Sequence, residues 1–374
     1  MKLIIGGDFC ITQNYLSKNL LDDSIKAIFD SSDYNLVNLE CPITPDEPDN
    51  KILKTGPHLR SDERILNHLK SLKINAVTLA NNHLLDYGQQ GLNDTLHTLQ
   101  SHKISCVGAG NNIAEASKPL IVKMQNLKIA IVNFCENEWS IATNKNGGAN
   151  PLDIVDNTNQ IKEAKKIADF VIVIAHGGHE YYQLPNPRMV KQYRFFVDNG
   201  ADAVVGHHTH CFSGYEIYNN CPIAYSLGNM VFTKDSKHKV WYNGLLAQLK
   251  IEKNKPIDIS LHPIKQQSGN FKLDLLRDNE ENEIQQQIKH LNTIIQSNDK
   301  LQQEWDKYIE QRNNAVEIFS PINFLPGKYI RAALKKIGLN KTLLKKTNLK
   351  NQLNHIRCEA HRDVLIGTLI KKLK

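Results

Sequence analysis

Asp8, Glu40, Asn82, His83, His176, His208 and His210 together supply the side-chain types that a two-metal hydrolytic site needs. Such a site holds cations about 3.5–4 Å apart among oxygen and imidazole donors, with a carboxylate bridging them and a water made acidic enough to attack. His83 follows Asn82 directly and is free to protonate a leaving oxygen, with Asp86 three residues on to orient it. The local signals are unequal. In GHHTH at 206–210 three imidazoles occupy four positions; in an extended segment alternate ones point to the same side, and burying them without ligands is costly. In ANNH at 80–83 two amides and an imidazole follow an apolar run, where they have little packing value. Asp8 and Glu40, taken singly, read more readily as turn or cap residues.

What gathers these residues is the placement of each at the end of an apolar run. Short apolar runs at 2–8, 34–40, 74–83, 128–134, 170–178, 201–210, 222–229 and 244–252 read as buried strands. Helix-period segments at 62–72, 91–102, 158–168 and 187–199 lie between several of them, which predicts a layered α/β domain. Little helix separates the last three strands, so a mixed sheet is expected. In open α/β sheets ligands bind beyond the carboxyl ends of strands, where rigid strands hold converging loops. Strand-end placement therefore turns scattered residues into one cluster.

Hydrophobic residues make up 41% of the 374, enough for a sizeable core. No stretch approaches the roughly 20 apolar residues of a membrane span, and the start is not that of a signal peptide, so a cytoplasmic location is the default expectation. The seven cysteines are scattered and never spaced as CxxC, which predicts free thiols in the core. Residues 321–374 carry 13 Lys and Arg against Glu359 and Asp363, a balance of +11 in a chain whose total is +7, so the remainder is −4. The main domain is accordingly not read as a nucleic-acid binder. Residues 279–318 are rich in Gln, Glu, Asn and Lys with Ile284, Ile288, Leu291, Ile294, Ile295 and Leu301 at helical spacing, predicting a long amphipathic helix. Beyond the break at 320–327, the segments IRAALKKIGL, KTLLKKTNL and DVLIGTLIKKLK predict basic, apolar-striped helices. These either meet an anionic membrane face or a synthase partner, or pack on the main domain with their lysines in solvent. The division expected is 1–270 for the main domain and 271–374 for a helical, basic extension.

GD at 7–8, NLECPIT at 38–44, LANNHLLDYG at 79–88, AHGGHEY at 175–181, GHHTH at 206–210 and YSLGNMVF at 225–232 resemble, in order, the motif series of the CapA-type poly-γ-glutamate capsule-biosynthesis family. That family is a branch of the calcineurin-like metallophosphoesterases, and the resemblance covers about residues 1–265. It implies a four-layer α/β/β/α sandwich with the metal site at one edge. It also implies two divalent ions, Mn, Fe or Zn: Asp8 and His210 on one, Glu40 between them, and Asn82, His176 and His208 on the other. His83 takes the acid role, and His207 is not a ligand.

The departures are specific. The wider superfamily has His where this chain has Cys10, so one metal is expected to be held less tightly than the other. Gly177 replaces a Trp common in the capsule branch and is expected to open the pocket wall. His179, unusual there, is a candidate for a substrate or metal contact against a solvated loop position. Arg60, whose guanidinium suits phosphate or carboxylate, Asn81 and Asn229 are candidates for substrate contact. Two functions remain open: a metal-dependent hydrolase of a phosphoester, or of an amide in a γ-linked polymer, in capsule or exopolymer synthesis; or a non-catalytic accessory subunit of a polymer synthase or exporter. A phosphorylated or polymeric anion is the expected substrate, and the basic extension is a candidate for association with the inner membrane face or a synthase partner.

Overall fold

The structure, a computed structural model, describes residues 1–374 except 55, 125, 313–318, 340–345, 358–360, 362–363, 367 and 370–374. The chain forms two compact units, Met1–Gln302 and Gln303–Lys374.

In the first unit the strands are β1 (Lys2–Cys10), β2 (Tyr34–Leu39), β3 (Ala76–Thr78), β4 (Ser105–Val107), β5 (Ala109–Gly110), β6 (Leu120–Met124), β7 (Leu127–Cys135) and β8 (Gly148–Ala149). They continue as β9 (Phe170–His176), β10 (Ala203–His207), β11 (Tyr215–Tyr218), β12 (Cys221–Ala224), β13 (Asn229–Phe232), β14 (Asn243–Lys250), β15 (Asp258–Gln266) and β16 (Leu273–Leu275). An eight-stranded sheet runs β16-β15-β14-β1-β2-β3-β4, with β13 also paired to β1; a six-stranded sheet runs β11-β12-β10-β9-β7-β6. Each is mixed: β1 to β4 are parallel with β14 antiparallel to β1, and β7, β9, β10 and β12 are parallel with β6 and β11 antiparallel at the edges.

Alternation along the strands shows how the layers stack. Leu3, Ile5 and Leu36 share a core with Ile129, Ile131, Val171 and Val173 of the second sheet. Ile4, Val37 and Leu39, one residue out of phase, join a second core with Ile25, Leu69 and Leu92. Those three lie on α1 (Asp23–Asp30), α2 (Ile65–Ser71) and α3 (Gly88–Ser101). A strand's period of two sends alternate side chains to opposite faces, so the first sheet is buried between helices and the second sheet. Beyond a short α4 (Ile113–Ala116), α5 (Ile154–Ile167) and α6 (Pro187–Asp198) bring Ile161, Ala164, Tyr193 and Phe196 onto the second sheet. Covered on both faces, β7, β9 and β10 are continuous apolar runs rather than alternating ones. The result is the four-layer α/β/β/α sandwich that the resemblance implies.

The long predicted helix is two helices, α7 (Asp278–Ile295) and α8 (Asn298–Gln311), with 313–318 outside the described residues. Ile284, Ile288, Leu291 and Ile295 of α7 join the inter-sheet core, each worth about 1.5–3 kcal/mol of burial. Asn292 Oδ1 also accepts from the Tyr215 amide, on the edge strand β11, at 2.7 Å. The compact unit therefore runs past 270, because this helix closes its core. The second unit contains α9 (Lys328–Lys336) and α10 (Lys346–Arg357); 340–345 and most of the helix expected over 363–374 lie outside the described residues. Among the described residues no helix is long and apolar enough to cross a membrane, and Cys10, Cys41, Cys106, Cys135, Cys211 and Cys221 are free thiols.

One backbone feature bears directly on the site. The pairing of β1 with β2 slips between Gly6 and Asp8, a bulge that re-aims the Asp8 side chain. A Cβ at Gly7 would stand 2.0 Å from the Gly228 carbonyl oxygen, so only glycine fits. Gly7→Ala is expected to cost on the order of 3 kcal/mol, read as a lowered midpoint in thermal unfolding.

Candidate metal centre

Asp8 lies near the end of β1, Glu40 just beyond β2, and Asn82 and His83 in the loop after β3; His176 ends β9, and His207 ends β10 with His208 and His210 following. The parallel strands of the two sheets thus deliver all of them to one edge of the sandwich. Ligand atoms of Glu40, His176 and His208 lie within 4.8 Å of one another, and so do those of Asp8, Glu40 and His210. Glu40 is common to both groups, as a bridging carboxylate must be.

The donor set fits divalent cations on several counts. Neither Glu40 oxygen has a hydrogen-bond partner among the described residues, although the side chain is fully buried. Its nearest basic neighbours are His176 Nε2 and His210 Nε2, each 3.7 Å from Oε1. Burial, then the acidic neighbours, Asp8 first, drives its pKa well above its ordinary value. A buried carboxylate without a donor costs free energy that a cation on it would offset. Asp8 behaves oppositely: burial works against ionisation, but the His210 hydrogen bond and the neighbouring imidazoles of His176, His207 and His210 hold it below its ordinary value. His176 Nε2 stands 3.1 Å from Asn82 Oδ1 and 3.1 Å from His208 Nδ1, three lone-pair atoms converging on one point. Burial and then His208 hold His176 well below the usual imidazole value, so it is neutral and able to ligate. Imidazole, carboxylate and amide oxygen in this mixture suit Mn, Fe and Zn.

The rings of GHHTH converge for a different reason from the one the alternation predicts. His208 and His210 have φ of +93° and +54°, left-handed values, so the segment turns rather than extends. Conformations of this kind cost on the order of 1–3 kcal/mol each and concentrate at functional sites. His207, not expected to be a ligand, is buried with Nδ1 3.6 Å from Asp8 Oδ1, and neither ring nitrogen has a hydrogen-bond partner among the described residues.

The three candidates for substrate contact are engaged otherwise. Asn81 donates to the Leu39 carbonyl at 2.8 Å and accepts from the His83 amide at 3.0 Å, so it shapes the loop bearing Asn82 and His83. Asn229 Oδ1 lies 3.0 Å from His210 Nδ1 while its Nδ2 donates to the Trp241 carbonyl at 3.0 Å, fixing the ring so that Nε2 faces Glu40. Arg60 donates to Gln13 at 2.8 Å and the Thr44 carbonyl at 3.3 Å and pairs with Asp46; its described contacts include none of the metal-centre residues. Gly177 leaves no opening, because a Cβ there would meet Glu136 Cγ at 2.7 Å: Glu136 fills the space. His179 bonds Asn186, the N-cap of α6, at 3.0 Å and belongs to neither ligand group. Cys10 is buried beside Cys41, whose thiol, together with burial, raises its pKa well above normal; a protonated thiol is a poor ligand.

Sequence reasoning passed over Asn38 and Lys54. Asn38 Nδ2 donates to Asp8 Oδ1 at 2.8 Å and lies 3.2 Å from His176 Nδ1, so one amide orients two candidate ligands. Its signal was the period of two that puts it on the Glu40 face of β2. Lys54 is an ion-pair partner of Asp86, whose other oxygen lies 2.7 Å from His83 Nδ1. It sits in an irregular loop, where no periodicity points to it. Partners that orient metal ligands tune affinity about 10- to 100-fold. Asn229→Ala is therefore expected to weaken metal binding by about that factor, through a His210 free to rotate, as measured by competitive titration with a fluorescent chelator.

The PGA biosynthesis protein CapA of Bacillus subtilis is 36% identical over 245 residues, covering 63% of this chain and 64% of that protein. The capsule biosynthesis protein CapA of Bacillus anthracis is 31% identical over 255 residues, 65% of this chain and 60% of that one, so the match spans less than two thirds of either relative. A phosphatase structure from Mycoplasma pneumoniae superposes with a TM-score of 0.45 at 17% identity, over 72% of this chain and 95% of that one. That value is too low for an activity or a residue role to pass from it. The model of the bacterial capsule synthesis protein PGA_cap matches residues 4–234, which hold the whole candidate metal centre, and the chain belongs to that family.

Proposed function

We propose that this protein is a metal-dependent hydrolase of the phosphoesterase type that acts in making an extracellular anionic polymer. The observation that carries the reading is the Glu40 carboxylate, buried without a donor and shared by two ligand groups, with His83 close by. Asp8, Glu40 and His210 would hold one divalent ion, and Glu40, Asn82, His176 and His208 the other. Such ions, when bound, supply Lewis acidity toward a phosphoryl oxygen and a water acidic enough to attack at neutral pH. The chain's own residues do the rest. Asp86, held by Lys54 and by the Leu59 amide at 2.6 Å, takes His83 Nδ1 at 2.7 Å and leaves Nε2 to pass the proton. Burial lowers the His83 pKa against the opposing pull of Asp86, so a proton placed there is readily surrendered to a leaving oxygen. The same centre would serve amide cleavage in a γ-linked glutamyl polymer.

A second reading, an accessory subunit that turns over nothing, is favoured by Cys10 standing buried where a further ligand would complete one site. A Mycobacterium tuberculosis relative, 29% identical over 214 residues, is called a probable polyglutamine synthesis accessory protein. Metal analysis of the purified protein followed by assays on a panel of phosphoesters and γ-glutamyl peptides separates the two. Near-stoichiometric Mn, Fe or Zn with turnover is expected; a metal-loaded protein inert on the whole panel would favour the accessory reading, and one that takes up no metal would defeat the hydrolase.

A further inference from the structure

The second unit presents a feature that hydrolysis does not use. Tyr329, Ile330, Ala333, Leu334 and Ile337 fall on one arc of α9 and its C-cap, while Lys328, Arg331, Lys335 and Lys336 fall on the other, as the 3.6-residue period dictates. The apolar arc is open: Tyr329 is 80%, Ile330 57% and Ile337 74% exposed. The helix is formed, entered through Gly327 at φ +85° and tied back by Arg331, which donates to the Leu325 carbonyl at 2.8 Å. Nine residues are too few for a helix to persist alone in water, so its apolar side needs a surface to lie on. In α10, Leu353 and Ile356 are about half exposed as well.

Charge selects the surface. From 318 to 358 the sequence contains nine Lys and Arg and no Asp or Glu, whereas everything before 321 carries a net −4. An amphipathic helix with a basic polar face and a bulky apolar face lies flat in the interface of an anionic bilayer, its apolar side about 5–10 Å into the headgroup boundary. We propose that α9 is a peripheral docking element for an anionic lipid surface, with Tyr329, Ile330 and Ile337 inserting and Lys328, Arg331, Lys335 and Lys336 meeting the headgroups. It would hold the chain on a membrane without crossing it. This inference stands apart from the hydrolase reading, since it concerns residues outside the metal centre and is read out by binding alone.

The test is flotation of the full chain with vesicles of phosphatidylcholine alone and of phosphatidylcholine mixed with phosphatidylglycerol, at low and high salt. Wild type is expected to float with the mixed vesicles only, and to be released by salt. Lys335→Gln with Lys336→Gln should weaken binding on the order of thirtyfold, since each basic residue near such a surface contributes about fivefold. Ile330→Asp with Ile337→Asp should abolish binding, and because both residues are exposed, the unfolding curve and metal content should be unchanged. No binding by wild type, equal binding to neutral vesicles, or binding that survives the Asp pair would each overturn the proposal. So would a dimer broken by the Asp pair, or capture by soluble polyglutamate, in a protein that ignores vesicles.

Discussion

Glu40→Gln is expected to reduce bound metal from two ions per chain to one or none, and to lower phosphoester turnover by at least about a thousandfold. The substitution keeps the shape of the side chain and removes only its charge and its ability to bridge, so a loss cannot be put down to packing. Glu40 belongs to both ligand groups, which is why its effect should exceed that of Asn82, a member of one convergence alone. The metal-free protein should respond in the opposite sense. Burial raises the Glu40 pKa, so in the presence of a chelator the ionised side chain costs stability once pH exceeds its unfolded value. That cost is absent at low pH, grows as pH rises, and is complete above the raised folded pKa. With chelator, Glu40→Gln should therefore match wild type at about pH 4 and melt higher at about pH 8, the difference reflecting a buried polar group worth about 1–3 kcal/mol. Asp8, whose shift acts the other way, is coupled to Glu40, so the difference reports the two carboxyls as a unit. Inductively coupled plasma analysis and paired melting curves check both halves; a variant that keeps two ions would remove Glu40 from the bridging position.

His83→Ala is expected to lower turnover by about 10²- to 10⁴-fold while leaving metal content unchanged, the signature of a proton-transfer residue beside the ligands rather than among them. His83 suits this test better than Asp86. Removing the Asp86 carboxylate would leave the Lys54 ammonium, 2% exposed, without its partner, and stranding one member of a buried pair costs about 3–5 kcal/mol. His83 carries no such debt, since loss of its ring leaves Asp86 still bound to Lys54 and to the Leu59 amide. The pH dependence has a defined sign: the His83 pKa is lowered, so the rate it supports should fall as pH rises through that lowered value and should be flat in the variant. Equal turnover in wild type and His83→Ala, each with full metal, would put the proton on another group.

Residue identity and order were enough to name the metal-centre candidates. Asn82, His83, His208 and His210 are residue types with little packing value at the ends of apolar runs, Asp8 and Glu40 were marked by the ordered motif resemblance, and the strand ends of a layered α/β fold converge. The charge partition was equally legible, because it depends on composition alone. How the side chains are aimed was not. His208 and His210 reach the site through left-handed backbone that no periodicity encodes, and Asp8 is turned by a bulge at Gly7 that needs the Gly228 carbonyl, more than 200 residues away, to be explained. Asn38, Lys54 and Asn229 acquire their roles through partners distant in sequence, and Gly177 reads as an opening until Glu136 is seen to fill it. The helix α7 is amphipathic in sequence whether it packs or floats; its place in the inter-sheet core is a matter of which apolar face meets it. Local sequence determines which groups are present and on which face of an element they lie, whereas orientation and burial depend on contacts between segments that only the tertiary structure brings together.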